Sequence, residues 1–201
     1  MKKLVAFVCA AVMSLGLVST AVANPSITEV VEPEVVVTGG TGTVAEGLTI
    51  SVQEADPEKY ANEKVAEVVT AVNDEEELIT LEEMAEILEV KEEHLITNKE
   101  NEVKLDEYSL IAKFMDLATD VEDAKFEMTE EGTLIVEIQT DLLKDIDVED
   151  LEDYLIMFID QETGEVKFIE LEKDTFDPET GKLEVEFPGL GVFTILQKTA
   201  E

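Results

Sequence analysis

Arginine and tryptophan are missing from this sequence, and histidine and cysteine occur once each; every shortage closes off a kind of chemistry. Without arginine there is no bidentate clamp for a phosphate or carboxylate ligand. The 14 basic residues, all lysine, form no stripe against 49 acidic ones, which excludes phosphate-backbone binding to nucleic acid. Anionic membrane surfaces are disfavoured on the same grounds. Without tryptophan, and with aromatics at 5%, the broad ring platforms that sugar-binding surfaces use are scarce. The single histidine, His94, and the single cysteine, Cys9, cannot build a nitrogen- or sulfur-rich zinc site.

Long apolar runs are also scarce, and the one present lies at the start. Met1-Lys2-Lys3 is followed by the apolar stretch Leu4 to Val18 and then by the small-residue site Ala21-Val22-Ala23. That order is the pattern of a secretory signal peptide over residues 1–23, with cleavage after Ala23. A membrane anchor would need about 20 apolar residues. Cys9 lies inside the apolar run behind Phe7-Val8, a poor lipoprotein cleavage site. Export therefore removes the cysteine, and the secreted chain from Asn24 is expected to hold together by burial alone, with no disulfide. Residues 197–201 carry no sorting motif, so the sequence predicts a protein either released or retained non-covalently at the surface. Loss of Lys2 and Lys3 moves the net charge from −35 to −37, so any partner is expected to be cationic or neutral.

Such charge raises the prospect of disorder, but the periodicity predicts structure. Asp56 as N-cap and Pro57 at the first helical position open a helix with Ala61, Val65, Val68, Val69 and Val72 on one face. Thr80-Leu81-Glu82-Glu83 reads as a capping box, with Leu81, Met84, Ala85 and Leu88 on the covered face. After Leu95 the period shortens to two. Strands are predicted at Leu110 to Met115, Lys125 to Met128, around Leu134, Val136 and Ile138, at Tyr154 to Ile159, at Val166 to Leu171, around Leu183, Val185 and Phe187, and at Val192 to Leu196. The repeated "DQETG" (160–164) and "DPETG" (177–181) each sit between strand-like runs and read as hairpin turns that Asp begins and Gly closes, with a Ca²⁺ loop as the alternative.

"VVVTGGTG" (35–42) resembles a nucleotide-binding turn, yet no strand-turn-helix unit follows it. Gly47 interrupts the next stretch, and the Tyr60 and Lys64 spacing falls too close downstream to belong to a dehydrogenase site. The reading is a flexible turn between strands at Val35 to Val37 and Leu48 to Val52. "DIDVEDLED" (145–153) begins like a Ca²⁺ loop but has Asp150 where glycine is required and Ile156 where a chelating Glu belongs, so it reads as a capped helical turn. Ser51 and Ser109 lie in no nucleophile-elbow sequence, and His94 reads as a helix-end residue. No residue is assigned as catalytic, cofactor-binding or metal-ligating, and no cofactor is implied.

Residues 108–198, through "EYSLIAKFMDLATD", "GTLIVEIQTDLL", "DYLIMFIDQETGEVKFIEL", "GKLEVEF" and "PGLGVFTILQK", resemble the β-sandwich module near the C-terminus of small secreted proteins of Gram-positive gut anaerobes. The resemblance implies a binding or structural part without catalytic residues. The expected fold is α+β: an N-terminal part (24–105) with two helices and short strands, followed by an antiparallel, immunoglobulin-like or similar β-sandwich (106–201). The expected function is that of a non-enzymatic, acidic, secreted or surface-associated interaction or structural protein. The alternatives are a Ca²⁺-dependent structural module and an extracellular carboxylate-based hydrolase, the latter favoured by a cleft holding two inward acids between apolar walls.

Overall fold

The computed structural model describes residues 35–39, 50–74, 79–119 and 133–199. The expected signal peptide with its cleavage site, most of the glycine-rich turn and the predicted Lys125 to Met128 strand lie outside them. The protein is a mixed helix and strand fold. In chain order the elements are β1 (Val35–Gly39), β2 (Ile50–Glu54), α1 (Glu63–Asn73), α2 (Leu81–Ile87), β3 (Tyr108–Leu110), β4 (Met115–Thr119), β5 (Leu134–Thr140), β6 (Tyr154–Ile159), β7 (Val166–Glu170), β8 (Lys182–Phe187) and β9 (Gly191–Lys198). Six strands form one sheet in the order β2-β4-β9-β6-β7, with β3 also paired to β9. The other three form a second sheet, β1-β5-β8. Every strand pair is antiparallel.

Both expected helices form, and most of each predicted face is buried: Val65, Val68, Val69 and Val72 on α1, and Leu81, Met84 and Leu88 at α2, whereas Ala61 is exposed ahead of the helix and Ala85 is half-buried. Each fully buried valine contributes about 1.5–3 kcal/mol of transfer free energy. The Thr80 capping box is complete: Glu83 N–H donates to Thr80 Oγ1 at 3.2 Å, and Thr80 N–H donates to Glu83 Oε2 at 2.8 Å. The start of α1 differs from the expectation. Asp56 and Pro57 open only a short 3-10 turn, Pro57–Lys59, and Asn62 is the true N-cap, accepting from the Lys64 N–H at 3.0 Å. A β-region Tyr60 separates the two turns.

The predicted strand from Leu110 to Met115 is broken in two. β3 pairs Leu110 with Leu196, whereas β4 pairs Met115 with Phe193, so four residues of this strand face two of β9. The interrupted backbone is satisfied from other elements. Asn73, at the end of α1, accepts from Phe114 N–H at 2.8 Å through Oδ1 and donates to the Phe114 carbonyl at 3.0 Å through Nδ2. The buried Thr194 hydroxyl donates to the Ala112 carbonyl at 2.7 Å.

Two apolar clusters occupy opposite faces of the six-stranded sheet. One joins α1 and α2 to Leu110, Phe114, Leu155, Met157, Ile159, Val166, Phe168, Val192 and Leu196. The other joins Met115, Leu117, Ile156, Phe158, Ile169, Phe193 and Ile195 of that sheet to Leu134, Val136, Ile138, Leu183, Val185 and Phe187 of the three-stranded sheet. The pairing β1 to β5 and β2 to β4 crosses the boundary placed at residues 105 and 106.

The two "DxETG" segments are turns. Gly164 and Gly181 have φ of +76° and +68°, values that L-residues rarely adopt. The first closes the β6–β7 hairpin. The second does not join neighbouring strands; it precedes β8, in the other sheet from β7, and folds back so that Asp177 pairs with Lys182.

Candidate functional site

The edge of β7 is covered by a tight loop rather than left open. Thr97 bridges to Phe168, and Asn98 N–H donates to the Phe168 carbonyl at 2.9 Å. Ile96 and Glu102 close the loop on itself, and Glu100 takes a left-handed φ of 63° at its tip. An exposed strand edge is an aggregation hazard, and this loop removes it. Two concavities flank it.

The larger, of about 500 Å³, lies where β7 ends, β6 begins and the 3-10 turns Val148–Asp153 and Lys173–Thr175 meet the loop. Glu170 stands on its wall. Its Oε1 accepts from Thr97 Oγ1 and from Asn101 Nδ2, both at 2.6 Å, and its backbone N–H donates to Asn98 Oδ1 at 2.9 Å. Lys99 Nζ lies 2.9 Å from Glu172 Oε1 but 3.8 Å from Glu170 Oε2. Across the cleft, Lys173 Nζ sits 3.2 Å from Glu152 Oε2 and 3.6 Å from Glu149 Oε2. That contact with Glu152 holds the Lys173 ammonium above its ordinary range.

Tyr108 and Tyr154 complete the lining. Their cross-strand partners on β9 are the adjacent residues Lys198 and Gln197, so the two rings reach the cleft from opposite faces of the sheet. Tyr154 Oη accepts from Gln197 Nε2 at 2.8 Å. Burial raises both phenol pKa values above normal, so each phenol stays protonated at physiological pH.

The second concavity, of about 340 Å³, lies on the other side of the loop against Val166 to Ile169, with Pro188 and Thr133 beyond. His94 lines it from a 3-10 turn, Glu92–His94, as expected of a helix-end residue; its Nε2 is 3.9 Å from Glu93 Oε1. Ile96 on its rim is the exposed large hydrophobic side chain among the described residues, at 45%.

A third cluster lies at β4. Asp116, buried to 7% exposure, accepts from Tyr60 Oη at 2.8 Å and from Asp56 N–H at 3.3 Å. Desolvation raises its carboxyl pKa against the opposing pull of those hydrogen bonds. The same burial, together with the Asp116 charge, pushes the Tyr60 phenol far upward. Asp116 lines neither concavity and pins the Pro57–Lys59 turn to the sheet. The Tyr60 and Lys64 pair is split: Lys64 bonds Glu89 at 2.6 Å, away from Tyr60's partner.

The turn aspartates serve their own backbones. Asp160 Oδ1 accepts from Glu162 N–H at 3.0 Å and Thr163 N–H at 2.8 Å. Burial opposes ionisation of Asp160, but these bonds prevail and its pKa is lowered. Asp177 accepts from Glu179 N–H at 3.0 Å and from the Thr180 hydroxyl at 2.8 Å. Val148–Asp153 is the expected helical turn into β6, with Asp147 at the N-cap position but no side-chain cap bond. Among the described residues no group of three or more His, Cys, Asp or Glu is placed to hold a metal ion. Ser51 is exposed on β2, and Ser109 is buried with its hydroxyl unpartnered.

The residues that shape the cleft, Thr97, Asn98, Asn101 and Glu170, escape the sequence reading. The clue available was "ITNKENEV", whose clustered asparagines mark a turn; nothing local tells that the turn docks on β7. Comparison with family models, with curated proteins and with solved structures returned no match.

Proposed function

We infer that this is a non-enzymatic, exported interaction or structural protein, released or held non-covalently at the cell surface. One observation carries the reading: Asp116 is the one buried charged side chain among the described residues, so their acid is laid out as a solvated coat. Asp116 itself is enclosed by Tyr60 and the Asp56 amide, out of reach of a substrate in either concavity. In the larger cleft Glu170 and Glu172 are engaged by Thr97, Asn101 and Lys99, and the walls are polar rather than apolar. That arrangement supports binding over carboxylate hydrolysis, where one acid needs an apolar setting to stay protonated.

The finer reading of the fold is a β-sandwich of the two sheets, supported by the cluster they share. The helices on the outer face of the larger sheet would be an addition to such a module. The resemblance to secreted proteins of Gram-positive gut anaerobes fits the same picture. Export is tested by mass spectrometry of the secreted protein, with Asn24 expected at the N-terminus and a retained Met1 contradicting it. The non-enzymatic reading is tested with ester, peptide and glycoside substrates. No turnover is expected; turnover that disappears in Glu170→Gln would contradict it.

A further inference from the structure

We propose that the cleft beside the β7 edge binds lysine or arginine side chains of a basic peptide segment on a partner protein. The proposal rests on the interaction reading above and names the chemistry of the partner. The cleft's volume of about 500 Å³ lies within the ~300–1,000 Å³ range of ligand clefts. Lys99 and Lys173 face five carboxylates there, Glu102, Glu152, Glu170, Glu172 and Asp174. The excess is negative, and the charge of the whole chain, −35, adds a field of the same sign. An anion is repelled from such a site, whereas an ammonium or guanidinium group is drawn in.

Glu170 supplies the fixed point. Thr97 and Asn101 hold its Oε1 at 2.6 Å each, so the carboxylate loses little freedom when a cation arrives. Its Oε2 has only the distant contact with Lys99, 3.8 Å away, while Lys99 is satisfied at 2.9 Å by Glu172. An incoming cation therefore gains Glu170 without breaking the stronger pair. Tyr108 and Tyr154 provide ring surface for the aliphatic stem and for a cation near a ring face. The cavity, the pre-set carboxylate and the aromatic lining together distinguish this place from the acid coat elsewhere.

The test uses fluorescence polarisation of a labelled peptide of alternating Gly and Lys, at low ionic strength, with the exported protein. The same peptide with acetylated lysines is the uncharged control, and recovered peptide is checked by mass. Two cleft variants, Glu170→Gln and the exposed pair Glu102→Gln/Asp174→Asn, are each expected to weaken binding about tenfold or more. The pair Glu54→Gln/Glu58→Gln, at the β2 edge opposite β7, removes the same charge as the exposed cleft pair. It is expected to change affinity less than about twofold, as a remote, solvent-screened pair should. The second cleft variant touches no hydrogen bond of Glu170, so a folding defect in Glu170→Gln leaves the test intact. Equal losses in the cleft and remote pairs would overturn the cleft proposal while leaving the interaction reading standing. Absence of wild-type binding, or equal binding of the acetylated peptide, would also overturn it. Cleavage of the peptide would instead overturn the non-enzymatic reading.

Discussion

Strands β6 and β9 at the centre of the large sheet and strands β5 and β8 of the small sheet solve different burial problems with different sequences. β6 reads "YLIMFI" and is buried from Leu155 to Ile159; β9 is buried from Gly191 to Leu196. Both faces of these strands are covered, one by the helices and the other by the second sheet, so their alternation disappears. β5 and β8 keep it: Leu134, Val136, Ile138, Leu183, Val185 and Phe187 are buried while Glu137, Glu184 and Glu186 point outward. A continuous apolar strand marks the middle layer, and an alternating one marks an outer layer.

The largest expected effect lies in the cluster where the two layers meet. Phe193 on β9 is fully buried, its ring 5.1 Å from Phe187, and Phe193→Ala should cost about 3–5 kcal/mol in urea unfolding. Val136→Ala on β5 removes two methyl groups and should cost less, about 1–3 kcal/mol. A larger loss at Val136 would contradict the dependence on deleted volume expected within the cluster that both residues share.

The two similar turns sharpen the comparison, because one serves the large sheet and the other leads into the small one. A Cβ at Gly181 would fall inside contact distance of the Thr140 backbone carbonyl and press on Lys144 N. At Gly164 the nearest atom is the end of the Asn62 side chain, 2.8 Å away. Gly181→Ala should therefore cost more than about 2 kcal/mol, and Gly164→Ala about 1 kcal/mol, since the second clash relaxes. Equal melting-temperature losses would show that φ alone sets both costs.

Legibility followed the local physics. The Thr80 capping box, the α1 valine face, β6 to within a residue, and both glycine turns were readable because period, cap and turn chemistry lie within a few residues. The break at Ile111 to Phe114 was not, because the Asn73 side chain that satisfies its backbone lies 41 residues earlier. The cleft was hidden for the same reason: Thr97 and Glu170 meet across 73 residues, and no spacing rule reaches that far. The second "ETG" turn looked like a hairpin because sequence shows strands on either side, not the sheet to which each belongs.

A smaller effect separates the buried acid of the large sheet from the exposed acid around it. Burial raises the folded pKa of Asp116 above the ordinary aspartate value, so protonation favours the folded state. Its stabilising contribution is present below the unfolded value and is lost as pH rises through the folded one. Asp160 and Glu107 are shifted the other way, Glu107 chiefly by its bond to Lys104, and their contributions fade as pH falls through their lowered values. Melting temperature should therefore rise as pH is lowered through the raised folded value of Asp116 and fall again as pH drops through the lowered values of Asp160 and Glu107. Asp116→Asn should flatten the first limb and leave the second; an unchanged first limb would remove Asp116 as its source.

The smallest effect concerns the coat itself. Screening of like charges should raise the melting temperature modestly with NaCl. CaCl₂ and MgCl₂ at matched ionic strength should give the same gain, whereas a Ca²⁺-only gain of several degrees would favour the metal-dependent module.

The layered burial is tested most directly by native-state hydrogen exchange read peptide by peptide. The backbone amides of residues 155–159, paired to β7 and β9, and of residues 192–196, paired to β6 and flanked on the other side by β4 and β3 around the break, are covered on both faces and should exchange slowest and only with global unfolding. Leu134–Thr140 and Lys182–Phe187 should open earlier. Slower exchange in those outer strands than in β6 and β9 would contradict the account.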